Sequence, residues 1–206
     1  MKRRGVFITF EGPEGSGKCT QVRQLAAWLR RRGHRVLLLR EPGGTLLGER
    51  LRRVLLSPST GQLSPRTDAF LYMAARAQLV ETVILPSLRR GNVVLCDRFL
   101  DSTLAYQGYG SGVDVAELRR MGRVATQGLT PRLTFLMDLP SETGLRRVRG
   151  AKDRIERRAV SFHERVRRGF LALARREPRR FRVLDARQSR TAIQRQIRQA
   201  VTERVG

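Results

Sequence analysis

Residues 6–10 read Val-Phe-Ile-Thr-Phe, and residues 12–18 read Gly-Pro-Glu-Gly-Ser-Gly-Lys. An apolar run directly before such a glycine-rich loop predicts a buried strand, and the loop opens a helix. The glycines let backbone N–H groups approach an anion closely, and the positive end of the helix and the charge of Lys18 add to the attraction. The stretch therefore predicts a binding site for a nucleoside triphosphate, formed by Gly12, Pro13, Glu14, Gly15, Ser16, Gly17, Lys18, Cys19 and Thr20.

Position 19 departs from the usual form of this loop, in which a hydroxyl residue follows the lysine. Here Cys19 follows Lys18, and Thr20 comes next. A thiol is a poor ligand for Mg²⁺, because this hard ion prefers oxygen. Three accounts stay open: water takes the place of the hydroxyl group in a working enzyme, Thr20 partly substitutes for it, or the protein binds nucleotide with poor turnover.

The 206 residues and their composition favour one compact domain over residues 1–206. The net charge of +24 suits a polyanionic partner, but the arginines are spread along the chain, so we interpret them as solvated helix faces rather than a nucleic-acid site. No apolar run is long enough to span a membrane, and residues 1–4 lead into the first strand without a signal sequence. Because both cysteines, Cys19 and Cys96, fall in predicted nucleotide-site segments, we expect no disulfide and a cytoplasmic protein.

Short apolar strands alternate with longer helical stretches, a pattern typical of a parallel sheet covered by helices on both faces. We therefore predict an α/β three-layer sandwich with a five-stranded parallel sheet. The predicted strands are residues 6–10, 36–39, 92–96, 133–138 and 181–185. The predicted helices are residues 18–32, 46–56, 66–89, 114–127, 141–149, 153–176 and 189–204. Helical spacing places five apolar side chains in the core: Ile155, Phe162, Val166, Phe170 and Leu173.

Polar residues that follow the strands are candidates for the site, because ligands of open sheets bind beyond the carboxyl ends of the strands. Asp97 follows a predicted strand, where a carboxylate can hold Mg²⁺, and Arg98 offers a planar donor set that suits a monophosphate. Tyr72 and Arg76 lie four residues apart and share one helix face. Taken alone, the first pair also fits a strand-end ion pair, and the second also fits a core aromatic residue beside a surface arginine.

Two longer motifs carry a resemblance to a known family. Residues 40–45 read Arg-Glu-Pro-Gly-Gly-Thr, and residues 97–108 read Asp-Arg-Phe-Leu-Asp-Ser-Thr-Leu-Ala-Tyr-Gln-Gly. Together with the phosphate loop, they resemble thymidylate kinase over nearly the whole chain, from Val6 to about Asp185. The resemblance implies the P-loop NTPase fold, transfer of the γ-phosphoryl group of ATP to dTMP, Mg²⁺ as cofactor and a homodimer.

The resemblance also implies roles for single residues at the dTMP site. Glu14 would contact the 3′-hydroxyl group or position the acceptor, and Arg98 would bind the phosphate of dTMP. Tyr72 would stack on thymine, while Arg76 and Gln107 would bond its polar edge. Tyr106 would crowd the 2′ position, although it also fits a packing aromatic residue. The implied substrate-binding residues are Glu14, Pro42, Tyr72, Arg76, Arg98, Ser102, Tyr106 and Gln107.

A basic segment at about residues 146–157 corresponds to the lid over ATP in this family. The phosphate loop has no arginine between Gly12 and Lys18, so the resemblance is to the members whose lid supplies the arginine for the moving phosphoryl group. Arg149 and Arg154 are the candidates, and Arg147 is a candidate for stacking on adenine. The lid is about two residues shorter than in enteric bacteria, which leaves its register open. The implied catalytic residues are Lys18, Arg98, Arg149, Arg154 and Asp97, with Asp97 as metal ligand.

Two alternatives remain at this point. The chain could be a kinase for another nucleoside monophosphate, or a catalytically weak, nucleotide-gated nucleic-acid binder, which the charge of +24 and Cys19 suggest. His34 and His163 each stand alone among arginines, and we expect surface or helix residues rather than bases.

Overall fold

The computed structural model describes residues 5–205, so residues 1–4 and the expected lack of a signal sequence there lie outside the described residues. The strands are β1 (Val6–Glu11), β2 (Val36–Arg40), β3 (Val93–Asp97), β4 (Leu133–Asp138) and β5 (Phe181–Asp185). The helices are α1 (Lys18–Arg31), α2 (Leu46–Leu56), α3 (Pro65–Leu79), α4 (Leu85–Arg89), α5 (Leu100–Thr103), α6 (Val115–Ala125), α7 (Ser141–Arg147), α8 (Val160–Arg176) and α9 (Arg190–Val205). A 3₁₀ turn covers Pro58–Thr60, and π-helical turns cover Val80–Ile84 and Leu104–Gly110.

The five strands form one parallel sheet in the order β2-β3-β1-β4-β5. The central strand β1 pairs on both sides, so Ile8 lies opposite Leu95 of β3 and Leu133 of β4. Successive side chains of a strand point to opposite faces, and Phe7 and Ile8 accordingly belong to separate buried clusters. The predicted α/β sandwich with a five-stranded parallel sheet is confirmed.

Part of the core lies between α8 and the segment that follows β3. Phe162, Val166, Phe170 and Leu173 of α8 are buried against the turn at Leu104–Gly110, and Ile155 joins them, as the helical spacing predicted. Gly110 is required there, because a Cβ would lie 2.7 Å from the ring of Phe162. The close contact fixes the segment that follows β3.

One predicted helix is too long, and one helical stretch was not predicted. The helix predicted at 153–176 begins at Val160, because the Asp153 side chain accepts hydrogen bonds from the N–H groups of Ile155 and Glu156 at 2.8 Å and holds a turn there. The stretch 100–110, for which the sequence predicts no helix, is helical. Its glycines and hydroxyl residues are typical of a loop, but packing against α8 determines its structure.

The other helices differ from prediction mainly at their ends, and the predicted 66–89 helix contains the π-helical turn Val80–Ile84. His163 lies in α8, as one expectation allowed, but it is buried rather than on the surface. No helix between residues 5 and 205 is both long and apolar enough to cross a membrane.

Candidate active site

The phosphate loop joins β1 to α1 and has the backbone that its glycines predict. Gly15 has a φ of +65°, and a Cβ there would lie 2.1 Å from the backbone oxygen of Gly144, so this position requires glycine. Lys18 folds back over the loop, and its Nζ donates to the backbone oxygens of Gly12 at 2.9 Å and Pro13 at 2.7 Å. The loop therefore holds its ammonium group where phosphate oxygens can replace these carbonyl groups.

The environment of Lys18 favours an anionic ligand. Burial lowers the pKa of the Lys18 ammonium group to about 8, and the charge of Arg98 adds to this effect. The carboxylates of Glu14 and Asp97 oppose the shift. A polyphosphate at the loop would add negative charge beside Lys18 and favour its charged form.

An open cavity of about 180 Å³ lies beside the loop, at the carboxyl edge of the sheet. All eight residues expected to bind substrate line it: Glu14, Pro42, Tyr72, Arg76, Arg98, Ser102, Tyr106 and Gln107. Four separate chain segments contribute to this lining, so the fold brings together residues that the motifs left far apart. The remaining lining residues are Glu41, Arg52, Leu56, Phe99, Thr103, Asp153, Ile155 and Glu156.

Arg98 connects the cavity to the phosphate loop. Its φ of +71° lies in the left-handed region, which is unusual for a residue other than glycine. One terminal nitrogen donates to the backbone oxygen of Gly12 and to Ser102 Oγ, both at 3.1 Å, and the other forms an ion pair with Glu14. Arg98 thus pairs with Glu14 rather than with its neighbour Asp97, and it presents a planar donor group to the cavity.

Glu14 lies between Arg98 and Tyr106. Burial alone would raise the pKa of the Glu14 carboxyl group, but the charges of Arg98 and Lys18 and a hydrogen bond from Tyr106 hold it below its usual value. The Tyr106 hydroxyl group donates to Glu14 Oε1 at 2.8 Å, while the Tyr106 ring packs 6.0 Å from the ring of Phe170. Tyr106 is therefore both a packing residue and a wall of the cavity.

Arg76 is buried at the other end of the cavity, which excludes the surface position considered above. Its Nε donates to Glu41 Oε2 at 2.8 Å, and one terminal nitrogen donates to the backbone oxygen of Phe99 and to Thr103 Oγ1 at 3.1 Å. Tyr72 lines the same end of the cavity. These partners give the Arg76 guanidinium group a fixed position beside an aromatic ring.

Gln107 also lies at this end, held by a carboxylate. Its Nε2 donates to Asp68 Oδ2 at 2.8 Å, and Asp68 Oδ1 forms an ion pair with Arg154. Arg154 also donates from Nε to the backbone oxygen of Leu55 at 2.7 Å. Arg154 is therefore anchored to α2 and α3 by Leu55 and Asp68.

The other lid arginines lie elsewhere. Arg149 is exposed and has no hydrogen-bond or ion-pair partner between residues 5 and 205. Arg147 donates to the backbone oxygen of Ala186 at 3.2 Å, beyond the end of β5. Asp153, Ile155 and Glu156 line the cavity, so the lid segment covers it on one side.

A family model described as thymidylate kinase matches residues 10–197. This chain belongs to the thymidylate kinase family. It is 51% identical over 203 residues to the thymidylate kinase of Deinococcus radiodurans, with 98% of each chain covered. The thymidylate kinase of Pelotomaculum thermopropionicum is 50% identical over 203 residues, which cover 97% of this chain and 94% of that one.

The structural comparison agrees with the sequence comparisons. The crystal structure of thymidylate kinase from Ehrlichia chaffeensis matches with a TM-score of 0.78 and 33% sequence identity. The match covers 96% of this chain and 98% of the other. The P-loop NTPase fold of the thymidylate kinase family is therefore shown over nearly the full length.

The donor groups beside the phosphate loop determine whether the site suits Mg²⁺. Asp97 ends β3 and borders the same surface depression as Cys19, which is exposed. A carboxylate oxygen suits Mg²⁺, whereas the thiol does not. Within residues 5–205 no cluster of three or more His, Cys, Asp or Glu side chains is placed to hold a metal ion. Since Mg²⁺ usually takes one or two carboxylates and completes its shell with water and phosphate oxygens, Asp97 fits such a site.

Three acidic residues that sequence reasoning missed support this kinase site: Glu11, Glu41 and Asp68. Glu11 is fully buried at the end of β1, and burial followed by the charge of Asp101 raises the pKa of its carboxyl group to about 8. Glu11 immediately follows the predicted strand 6–10, Glu41 follows the predicted strand 36–39 by two positions, and Asp68 lies within the predicted helix 66–89. A charged residue beside or within an apolar segment was the signal that could have identified them.

Proposed function

We propose that this member of the thymidylate kinase family, a phosphotransferase acting on dTMP, uses ATP with Mg²⁺ as donor and produces dTDP and ADP. The observation that carries the proposal is the link through Arg98. This residue lines the cavity that suits a thymine nucleotide and donates to Gly12 of the phosphate loop at 3.1 Å. A monophosphate bound by Arg98 would therefore lie next to a triphosphate bound by the loop.

The residues of the two sites have complementary tasks in this reaction. Backbone N–H groups of the loop and Lys18 bind the donor phosphates. Arg98 binds and orients the acceptor phosphate, which is ionised near neutral pH and needs no general base. When bound, Mg²⁺ neutralises phosphate charge, and Asp97 would hold it there. Positioning and charge neutralisation thus account for most of the proposed catalysis.

The cavity also suits the nucleoside part of dTMP. Tyr72 offers a ring for stacking, and Arg76 and Gln107 offer polar groups to the thymine edge. Tyr106 and Glu14 lie where the sugar would bind, and Pro42 and Ser102 complete the wall. We assign the recognition of deoxyribose to Tyr106 and contact with the 3′-hydroxyl group to Glu14.

The three lid arginines have separate roles in this proposal. Arg149 is exposed and without a partner in residues 5–205, so it is free to reach the moving phosphoryl group. Arg147 lies beside the segment after β5 and is assigned to the adenine. Arg154 acts at the base end, through its ion pair with Asp68.

The assembly and location of the protein complete the proposal. We propose one domain over residues 1–206 that forms a homodimer in the cytoplasm. Phe70 of α3 is 60% exposed, and Leu46 of α2 is 73% exposed, on two helices that pack against each other. Such apolar exposure favours a protein interface. Both cysteines are free thiols, which suits a reducing compartment.

A steady-state assay of ADP release tests the proposed function. Wild-type protein with Mg²⁺ and ATP should respond strongly to dTMP and weakly to dCMP, dGMP and AMP, with dUMP as the closest competitor. Lys18→Met should abolish this turnover, whereas Arg175→Ala, a change on the exposed surface of α8, should leave it unchanged. Stronger turnover with AMP or dGMP than with dTMP would point instead to another monophosphate kinase. Affinity for DNA without any dTMP-stimulated turnover would favour the nucleic-acid binder, which the family membership does not favour.

A further inference from the structure

Asp68 and Gln107 form a buried pair whose hydrogen-bond direction is fixed by chemistry. Asp68 is 6% exposed and Gln107 is 2% exposed. Gln107 Nε2 lies 2.8 Å from Asp68 Oδ2. An ionised carboxylate accepts hydrogen bonds and donates none, so the amide group of Gln107 must turn its nitrogen toward Asp68. The opposite orientation would place two acceptor oxygens against each other.

The second oxygen of Asp68 has its own partner. Oδ1 forms an ion pair with Arg154, whose backbone N–H donates to Leu56 O at 3.0 Å and whose Nε donates to Leu55 O at 2.7 Å. Arg154 is thus held by the end of α2, and it compensates the charge of Asp68 in a site that is largely closed to water. The carboxylate therefore stays in place beside Gln107.

The hydrogen bond to Asp68 also determines which atom of the Gln107 amide group is left for a ligand. With Nε2 engaged by Asp68, Oε1 accepts no hydrogen bond within the part of the chain that the structure describes, and the side chain lines the cavity. An amide oxygen facing a base requires a donor on that base. Thymine carries N3–H, whereas the N3 of cytosine is a lone-pair acceptor and would be repelled.

We propose that Asp68, supported by Arg154, is a specificity-determining residue that fixes the Gln107 amide so that the site accepts thymine and rejects cytosine. The inference rests on the proposed function, because it assigns the thymine ring to this end of the cavity. Asp68 acts through Gln107 and is a positioning residue. Arg76 contributes separate donors whose partners, Glu41, Phe99 and Thr103, do not include Asp68.

The test compares dTMP with 5-methyl-dCMP, which keeps the methyl group and differs only at N3 and the 4-substituent. Wild-type protein should prefer dTMP by roughly 100-fold or more in kcat/KM, as expected of a site built around a hydrogen bond. In Asp68→Asn, Arg154 attracts the introduced amide oxygen, and the introduced amide nitrogen then faces Gln107. Gln107 is expected to turn over and present Nε2 to the base, so the preference should fall about tenfold or more.

Further variants separate orientation from structural damage. Asp68→Glu keeps an acceptor-only carboxylate and should retain the preference within about threefold, even where KM for dTMP rises. Asp68→Ser leaves Gln107 free to turn and should lower the preference, which covers the case in which Asp68→Asn does not fold. Asp114→Asn is the matched control, because it makes the same change at an exposed helix cap where Asn serves equally well.

The outcomes are distinct. A loss of preference in Asp68→Asn or Asp68→Ser, with retention in Asp68→Glu, supports the inference. Equal loss of turnover with both nucleotides at an unchanged ratio shows that Asp68 is only structural and overturns it, while the proposed function stands. A wild-type protein that phosphorylates 5-methyl-dCMP as well as dTMP also overturns it. A wild-type protein without dTMP turnover removes the proposed function and this inference together.

Discussion

Glu11 accepts a 2.6 Å hydrogen bond from the hydroxyl group of Ser102, at the point where β1 ends beside the cavity. The other oxygen of Glu11 accepts from the backbone N–H of Phe99 at 2.8 Å. Ser102 Oγ in turn accepts from Arg98 at 3.1 Å. The buried carboxyl group of Glu11 therefore fixes Phe99, which follows Arg98, and the Ser102 hydroxyl group, which holds the Arg98 side chain.

The raised pKa of Glu11 predicts a pH-dependent cost in stability. Burial and the charge of Asp101 raise it from 4.5 to about 8 in the folded protein. Because the folded pKa is the higher one, the contribution of Glu11 to stability is complete below pH 4.5 and is lost as the pH rises through about 8. Glu11→Gln removes this titration. We expect the free energy of unfolding of the variant, relative to wild type, to increase between about pH 5 and 8 by a few kcal/mol at most.

Urea denaturation at several pH values measures this difference. The charged neighbours of Glu11, namely Asp101, Arg98 and Lys18, are present in both proteins, so the two proteins differ only at position 11. A difference between variant and wild type that stays constant across this pH range would show that Glu11 does not titrate there.

Arg98→Lys should weaken the binding of dTMP far more than that of ATP. A lysine cannot reproduce the two-pronged contact with a phosphate, nor the simultaneous contacts to Gly12, Ser102 and Glu14. We expect kcat/KM for dTMP to fall by about 100-fold, while KM for ATP changes by less than about threefold. An equal rise of both KM values would place Arg98 in general support of the fold instead.

Cys19→Ser should keep or improve Mg²⁺-dependent activity. The introduced hydroxyl group offers an oxygen ligand next to Asp97, where the thiol offers none that Mg²⁺ prefers. The measurement is the Mg²⁺ concentration that gives half-maximal turnover, which we expect to stay the same or decrease. A large loss of activity in a folded variant would reveal a positive role of the thiol.

The two lid arginines should differ in the kinetic parameter that they affect. Arg149→Ala should lower kcat by about 100-fold with little change in KM for dTMP, as expected for a charge that acts on the moving phosphoryl group. Arg154→Ala should mainly raise KM for dTMP, because Asp68 loses its ion-pair partner beside the base. Steady-state kinetics with Arg175→Ala as control separates them, and a dominant kcat effect at Arg154 would reverse the assignment.

The fold could be predicted from the sequence because its strands are short and apolar and are separated by stretches in which apolar residues have helical spacing. Arg98 was identifiable because a guanidinium group suits a phosphate, and Tyr106 because its motif resembles that of the thymidylate kinase family. The supporting carboxylates were not. Glu11 and Asp68 bind partners 91 and 39 residues away in the chain, Ser102 and Gln107, and no local pattern encodes such pairs.

Arg154 is another residue whose partner lies far away in the chain. The resemblance implied that Arg154 acts on the moving phosphoryl group. Its ion pair with Asp68, 86 residues away, depends on how α2, α3 and the lid pack together. The start of α8 was misplaced for a different, local reason, because the Asp153 turn competes with a helix that the apolar spacing would otherwise extend. Tertiary packing decides the position of Arg154, and local hydrogen bonds decide the start of α8.

We expect the cavity beside the phosphate loop to bind dTMP through Arg98. Calorimetric titration of the folded protein with dTMP tests it most directly. We expect saturable binding of one dTMP per chain, with or without a non-hydrolysable ATP analogue, and binding weakened by about 100-fold or more in Arg98→Ala. The absence of any binding heat under both conditions, at more than one temperature, would contradict it.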